Sequence, residues 1–171
     1  MVNKKLIISK ADLKHNIALL KKEMQTKIIA VLKGDGYGLG LVNMASVLKE
    51  ENIDFFAVSE ASEALRLREE GFLDENILLL TPQHKDDVIE SLITNKITLT
   101  ADSLKTAENY SLICEKLNET LDAHIKIDTG FGRFGFSSAN KEEIIKALRV
   151  KGVNFTGIYS HFSCAFEKFL F

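Results

Sequence analysis

The sequence predicts an α/β fold built on parallel strands, and three observations carry that expectation. Short apolar runs alternate with stretches of helical periodicity along the 171 residues. The interval from one strand-like run to the next is close to the roughly 30 residues of a βαβ unit. Glycines and reactive side chains gather just after the strand-like runs, where α/β folds concentrate their chemistry. Such alternation argues right-handed crossovers and a parallel sheet. A doubly wound open sheet and a (β/α)₈ barrel both satisfy it, and the chain falls short of the roughly 250 residues of a complete barrel.

Each element has its own signal. Leu13, Ile17 and Leu20 recur at helical spacing over residues 9–23, behind Ser9 as a cap. Ile28-Ile29-Ala30-Val31-Leu32 reads as a strand buried on both faces. Lys33 closes that run, and the glycines after it bend the chain sharply. A helix is expected over 39–50, a strand over 54–58, and a helix through Ala61, Ala64, Leu65 and Leu67 that stops at Gly71 in a left-handed cap. Strands over 77–80, 97–100, 123–127 and 155–160 and helices over 85–93, 104–117 and 141–148 continue the rhythm. After His161 the chain runs to Phe171 through four phenylalanines with no further helix, as a cut inside a larger domain would leave it.

Composition narrows the class. The chain is 46% hydrophobic and 27% charged with one proline, as an ordinary globular chain is. A formal net charge of −2 with scattered basic residues gives no footprint for nucleic acid or an anionic membrane surface. No apolar run suits a secretory leader or a membrane span, so a cytoplasmic location is expected. Cys114 and Cys164 carry no motif and read as free thiols. No metal site is expected, because His161 and Cys164 lack a second ligand pair. His15, His84 and His124 read as structural or surface residues.

Three constellations follow strands. Lys33-Gly34-Asp35-Gly36-Tyr37-Gly38 is not a P-loop, whose lysine follows its glycines, and Leu39 breaks a dinucleotide fingerprint, although Glu60 could serve a ribose. Lys33 is read as a nucleophilic amine against the alternative of a surface lysine. Lys126-Ile127-Asp128-Thr129-Gly130-Phe131-Gly132-Arg133 sets a guanidinium where it can grip a carboxylate with paired donors, or else form a surface ion pair. Tyr159-Ser160-His161-Phe162 offers an imidazole that could be a base, a ligand or a stacking surface, or a hydrogen-bonded core histidine.

Together these three segments, with Phe55-Phe56-Ala57-Val58-Ser59-Glu60-Ala61-Ser62-Glu63-Ala64-Leu65-Arg66-Leu67-Arg68 between them, resemble the alanine racemase family from about Leu6 to Phe162. The resemblance implies a parallel (β/α) TIM-barrel fold, incomplete here at about six of eight units, with residues 1–171 as the N-terminal part and the family's C-terminal β domain absent. It implies a pyridoxal 5'-phosphate enzyme, an isomerase that interconverts L-alanine and D-alanine for peptidoglycan precursors and works as a homodimer. By match, Lys33 holds the cofactor as a Schiff base and is one of two bases, and Tyr37 reaches its phosphate. Arg133 lies near its phenolate and the substrate carboxylate, and His161 packs beside its pyridine ring. Lys126 matches a lysine that some members carbamylate. Gly34-Asp35-Gly36 stands where the family usually has alanine-asparagine-alanine. The family's second base, a tyrosine from the partner subunit's C-terminal domain, has no counterpart, so the chain alone is expected to be inactive. A cofactor-binding relic without turnover and a self-associating structural fragment are the alternatives.

Overall fold

The computed structural model describes residues 5–163, in two compact units, Met1–Leu78 and Leu79–Phe171. The first unit opens with α1 (Lys10–Glu23), whose Ser9 hydroxyl accepts the Asp12 N–H as a cap. Then come β1 (Ala30–Val31), a turn α2 (Lys33–Tyr37), α3 (Leu41–Glu50), β2 (Phe55–Val58), α4 (Ala61–Glu69) and β3 (Asn76–Leu79), whose last residue opens the second unit. The sheet order is β1-β2-β3, with β1 and β2 parallel and Ala30 opposite Phe56. Leu41, Ala45 and Leu48 of α3 and Ala64 and Leu67 of α4 are buried, and Phe72 meets Phe56 edge-on at 5.9 Å between centroids. Gly71, at φ +90°, ends α4 as its sequence position predicts.

The second unit contains α5 (Asp86–Thr94), β4 (Thr98–Ala101), α6 (Leu104–Leu117), β5 (Leu121–Asp128), β6 (Phe136–Ser137), α7 (Lys141–Ala147) and β7 (Val153–Tyr159). β5 is its central strand, parallel to β4 on one side and β7 on the other. The β5–β7 register slips between Ala123 and His124. Gly157 lies opposite His124, and a Cβ there would come within 2.6 Å of the imidazole, so the buried ring requires glycine.

Three expectations need correction. β1 is not buried on both faces: Ile29 is 41% and Val31 39% exposed, and these two, two residues apart, share one face, while Leu32 on the other is buried. A seventh strand, β6, pairs with the end of β5 inside what reads as a loop. The helix expected from residue 39 starts at Leu41, since Gly40 sits at φ +94°. In the aromatic C-terminal run, Phe162 is 79% exposed. Cys164, Phe166, Phe169 and Phe171 lie outside the described residues. Among the described residues no helix is long and apolar enough to cross a membrane.

Candidate active site

The turn after β1 is wound the wrong way round for L-amino acids. Gly34 (φ 64°, ψ 46°), Asp35 (53°, 49°) and Gly36 (64°, 39°) are left-handed, and Tyr37 and Gly38 continue at φ 56° and 80°. The result is one turn of left-handed helix, closed by the N–H of Gly36 on the Leu32 carbonyl (2.8 Å) and that of Gly38 on the Gly34 carbonyl (2.9 Å). Left-handed helical backbone costs an L-residue about 1–2 kcal/mol, which glycine escapes, so Asp35 and Tyr37 carry the strain. Asp35 is held from both sides. Its N–H donates to Glu63 Oε1 at 2.9 Å, and its carboxylate accepts the Leu41 N–H at 3.0 Å and faces Arg66 at 3.4 Å. Lys33 opens this turn at the carboxyl end of β1 and is half-buried, while Tyr37 is 64% exposed.

The loop after β5 is built differently. Lys126, near the end of β5, is 2% exposed. Its ammonium donates to the Ile127 carbonyl at 2.8 Å and lies 5.9 Å from the Phe134 ring and 5.8 Å from the Tyr159 ring. Burial lowers its pKa from the ordinary lysine value, with Asp128 opposing that shift and the Arg133 cation adding to it. The Asp128 carboxylate accepts the N–H groups of Gly130 (3.0 Å) and Gly132 (3.1 Å), and these bonds hold its pKa below the ordinary value. Gly135, at φ +136°, passes so close to β5 that a Cβ would lie 2.7 Å from the Asp128 nitrogen.

This loop brings two of the sequence-singled side chains together. The exposed Arg133 guanidinium lies over the Phe131 ring at 4.7 Å and the Phe134 ring at 5.1 Å. Phe131 in turn meets the His161 imidazole edge-on at 4.8 Å. His161 is placed by the two residues before it: Ser160, just past β7, donates to the Ile127 carbonyl at 2.9 Å and lies 2.6 Å from the Thr129 hydroxyl. The Tyr159 hydroxyl reaches Thr100 Oγ1 (2.9 Å) and the Leu80 carbonyl (3.1 Å), and burial pushes its pKa up to about 12. Lys33 and Tyr37 thus share one turn in the first unit, and Arg133 and His161 share one aromatic cluster in the second.

Sequence reasoning passed over Glu63, Asp128, Phe131 and Thr100. Glu63 had a local signal, an acidic residue in the first turn of a helix three positions after Glu60. Asp128 ahead of two spaced glycines is the pattern of a side chain that folds its own loop. Phe131 and Thr100 gave no signal, since their roles depend on strands paired far along the chain. Glu60, weighed as a ribose ligand, is the N-cap of α4 and donates its backbone N–H to Glu63 at 3.2 Å.

Parallel strands alternating with helices, an amine after the first and a guanidinium and imidazole after later ones, define an α/β protein of TIM-barrel type with reactive groups at its carboxyl strand ends. The pattern of the alanine racemase N-terminal domain matches residues 8–169, and the chain belongs to that family. It is 35% identical over 157 residues to alanine racemase 1 of Caldanaerobacter subterraneus subsp. tengcongensis, covering 90% of this chain and 40% of the relative. To the alanine racemase of Carboxydothermus hydrogenoformans it is 35% identical over 160 residues, covering 92% and 42%. Among solved structures, the alanine racemase of Clostridium difficile 630 in complex with cycloserine matches with a TM-score of 0.82 at 34% identity, over 89% of this chain and 42% of that one. The histidine racemase of Leuconostoc mesenteroides subsp. sake matches with a TM-score of 0.82 at 26% identity, over 91% and 42%. The chain spans about two-fifths of the length of these curated relatives.

Proposed function

We propose that this chain is the lysine-bearing part of a pyridoxal 5'-phosphate-dependent alanine racemase, a cytoplasmic homodimer that interconverts L-alanine and D-alanine for peptidoglycan precursors. The observation that carries the reading is Lys33 on its left-handed turn at the carboxyl end of β1, in a chain of the alanine racemase family. The donor set suits the cofactor. A half-buried primary amine answers an aldehyde, an exposed phenol a phosphate, a guanidinium with free edges a phenolate or carboxylate, and an imidazole edge a flat ring. Gly34 and Gly38 have nothing within 4 Å of a Cβ position, so open space borders the turn that follows the lysine.

In this reading Lys33 binds the cofactor and moves the substrate's α-proton on one face. Tyr37 holds the phosphate, Arg133 orients the substrate carboxylate, and His161 packs beside the ring. When bound, the cofactor supplies an electron sink for the charge left as the α-proton departs. The protein supplies orientation and proton transfer. The small amino acid is read as alanine because the curated relatives compared above are named alanine racemases, while the histidine racemase shows that the same architecture serves another side chain.

Mixing the chain with pyridoxal 5'-phosphate, reducing with borohydride and mapping peptides by mass tests the reading. A phosphopyridoxyl group on Lys33, lost in Lys33→Ala, is expected; an unmodified Lys33 at saturating cofactor overturns it. Because the chain spans about two-fifths of its relatives, it is expected to bind cofactor without turnover. Racemisation of L-alanine by the purified 171-residue chain, abolished by Lys33→Ala, contradicts that second expectation.

A further inference from the structure

Asp35 and Tyr37 occupy left-handed backbone that neither adopts readily, and the glycines beside them, Gly34, Gly36 and Gly38, have no side chains to restrain them. Backbone bonds within the turn close it, yet a segment of the type Gly-Asp-Gly has many other conformations available. Something outside the turn must select this one. Among the described residues one side chain from another element takes a backbone N–H of the turn: Glu63, in the first turn of α4, whose Oε1 accepts from Asp35 at 2.9 Å. Its second oxygen accepts the N–H groups of Ser59 and Glu60, both at 3.2 Å. One half-buried carboxylate therefore ties the residue two after Lys33 to the junction of β2 and α4.

We propose that Glu63 is a positioning residue for the Lys33 amine, its carboxylate locking the left-handed turn to the start of α4 so that the lysine leaves β1 in one fixed direction. The role rests on Lys33 being the cofactor lysine. Glu63 spends its carboxylate on three backbone N–H groups and acts through the backbone it holds. Arg66, one turn further along α4, faces the Asp35 carboxylate at 3.4 Å and is exposed, so it supports the lock from outside without replacing it.

Two variants of the full chain separate positioning from helix capping. Glu63→Ala removes the carboxylate. Glu63→Asp keeps a negative charge in the first turn of α4, where it suits the helix dipole, but withdraws the carboxylate from the turn by about 1.5 Å. Two readouts are taken on each: amide hydrogen exchange at Asp35, and the rate at which Lys33 acquires a phosphopyridoxyl group at limiting pyridoxal 5'-phosphate with borohydride. Exchange at α6 amides serves as the check on global folding. The inference expects Asp35 exchange to rise about tenfold in both variants, as loss of a charged acceptor implies. Lys33 labelling should fall about tenfold in both, since small misplacement of a reacting group is costly. Unchanged exchange at Asp35 overturns it, and so does faster exchange with unchanged labelling. Wild-type labelling rates in Glu63→Asp alone overturn it too, because charge on α4 would then suffice. A wild-type chain that is never labelled at Lys33 overturns the cofactor reading itself and the positioning role with it, a pattern distinct from the others because the variants play no part in it.

Discussion

The turn after β1 and the loop after β5 both set a basic side chain among glycines at the carboxyl end of a strand and both use a carboxylate, yet one is held from another element and the other by its own residue. The first is closed by its own backbone bonds and tied to α4 by Glu63, with Gly34 and Gly38 facing open space. The second is gathered by a side chain, Asp128, and pressed against β5 so closely that Gly135 has no room for a methyl group. Gly34 and Gly38 in the first turn serve the backbone angle alone, whereas Gly135 in the second also serves contact. The same residue type therefore answers two different physical demands, and the two should fail differently when altered.

The largest effect is expected where both demands coincide. Gly135→Ala combines positive φ with a 2.7 Å collision against backbone, and should lower stability by about 3 kcal/mol in chemical denaturation. Gly34→Ala meets the angle alone. Its cost of about 1 kcal/mol is partly offset by the smaller entropy of the unfolded chain, so a net loss under about 1 kcal/mol is expected. Equal losses at the two sites would erase the distinction. Lys126 gives a smaller, pH-dependent effect. Its pKa is lowered in the fold, so the unfolded chain holds more protons between that lowered value and the ordinary 10.5. Stability should therefore rise with pH across that window, and Lys126→Met should remove the rise in denaturation midpoints measured at neutral and alkaline pH. The least effect is expected at Asp128. Its folded pKa is lowered, so its contribution is present above the ordinary 3.8 and is lost as pH falls through the lowered value. Amide exchange at Gly130 and Gly132, corrected for intrinsic rate, should stay slow at neutral pH and speed up only in strong acid, while the turn after β1 is judged by Asp35 in the same experiment.

What could be read in advance follows from how local each cause is. α6 spans Leu104–Leu117 as its periodicity predicts, because Ser103 caps one end and Asn118 takes the left-handed position at the other. The strand-helix alternation, the glycine end of α4 and the placing of Arg133 and His161 after strands were legible for the same reason. The five apolar residues ahead of Lys33 misled, since an apolar run reports composition and says nothing of whether a neighbour covers each face. β6 was invisible because two residues carry no period. The glycines after Lys33 announced a tight turn but not its hand. Asp35 and Tyr37 gave no local reason to be left-handed, and the partner that helps fix Asp35 lies 28 residues further on. The meeting of Arg133 and His161 at Phe131 depends on β5 pairing with β7, which no window of sequence contains.

Thr100, Tyr110 and Tyr159 have one further consequence. Tyr110 donates to the Thr100 carbonyl, Thr100 donates to the Leu79 carbonyl, and Tyr159 joins Thr100 to Leu80. The tips of neighbouring strands are thereby knotted into a stiff polar collar, so the segment bearing His161 springs from an anchored root. Any swing of that imidazole must begin beyond Ser160, whose hydroxyl is itself bonded to the Ile127 carbonyl, rather than lower in the strand.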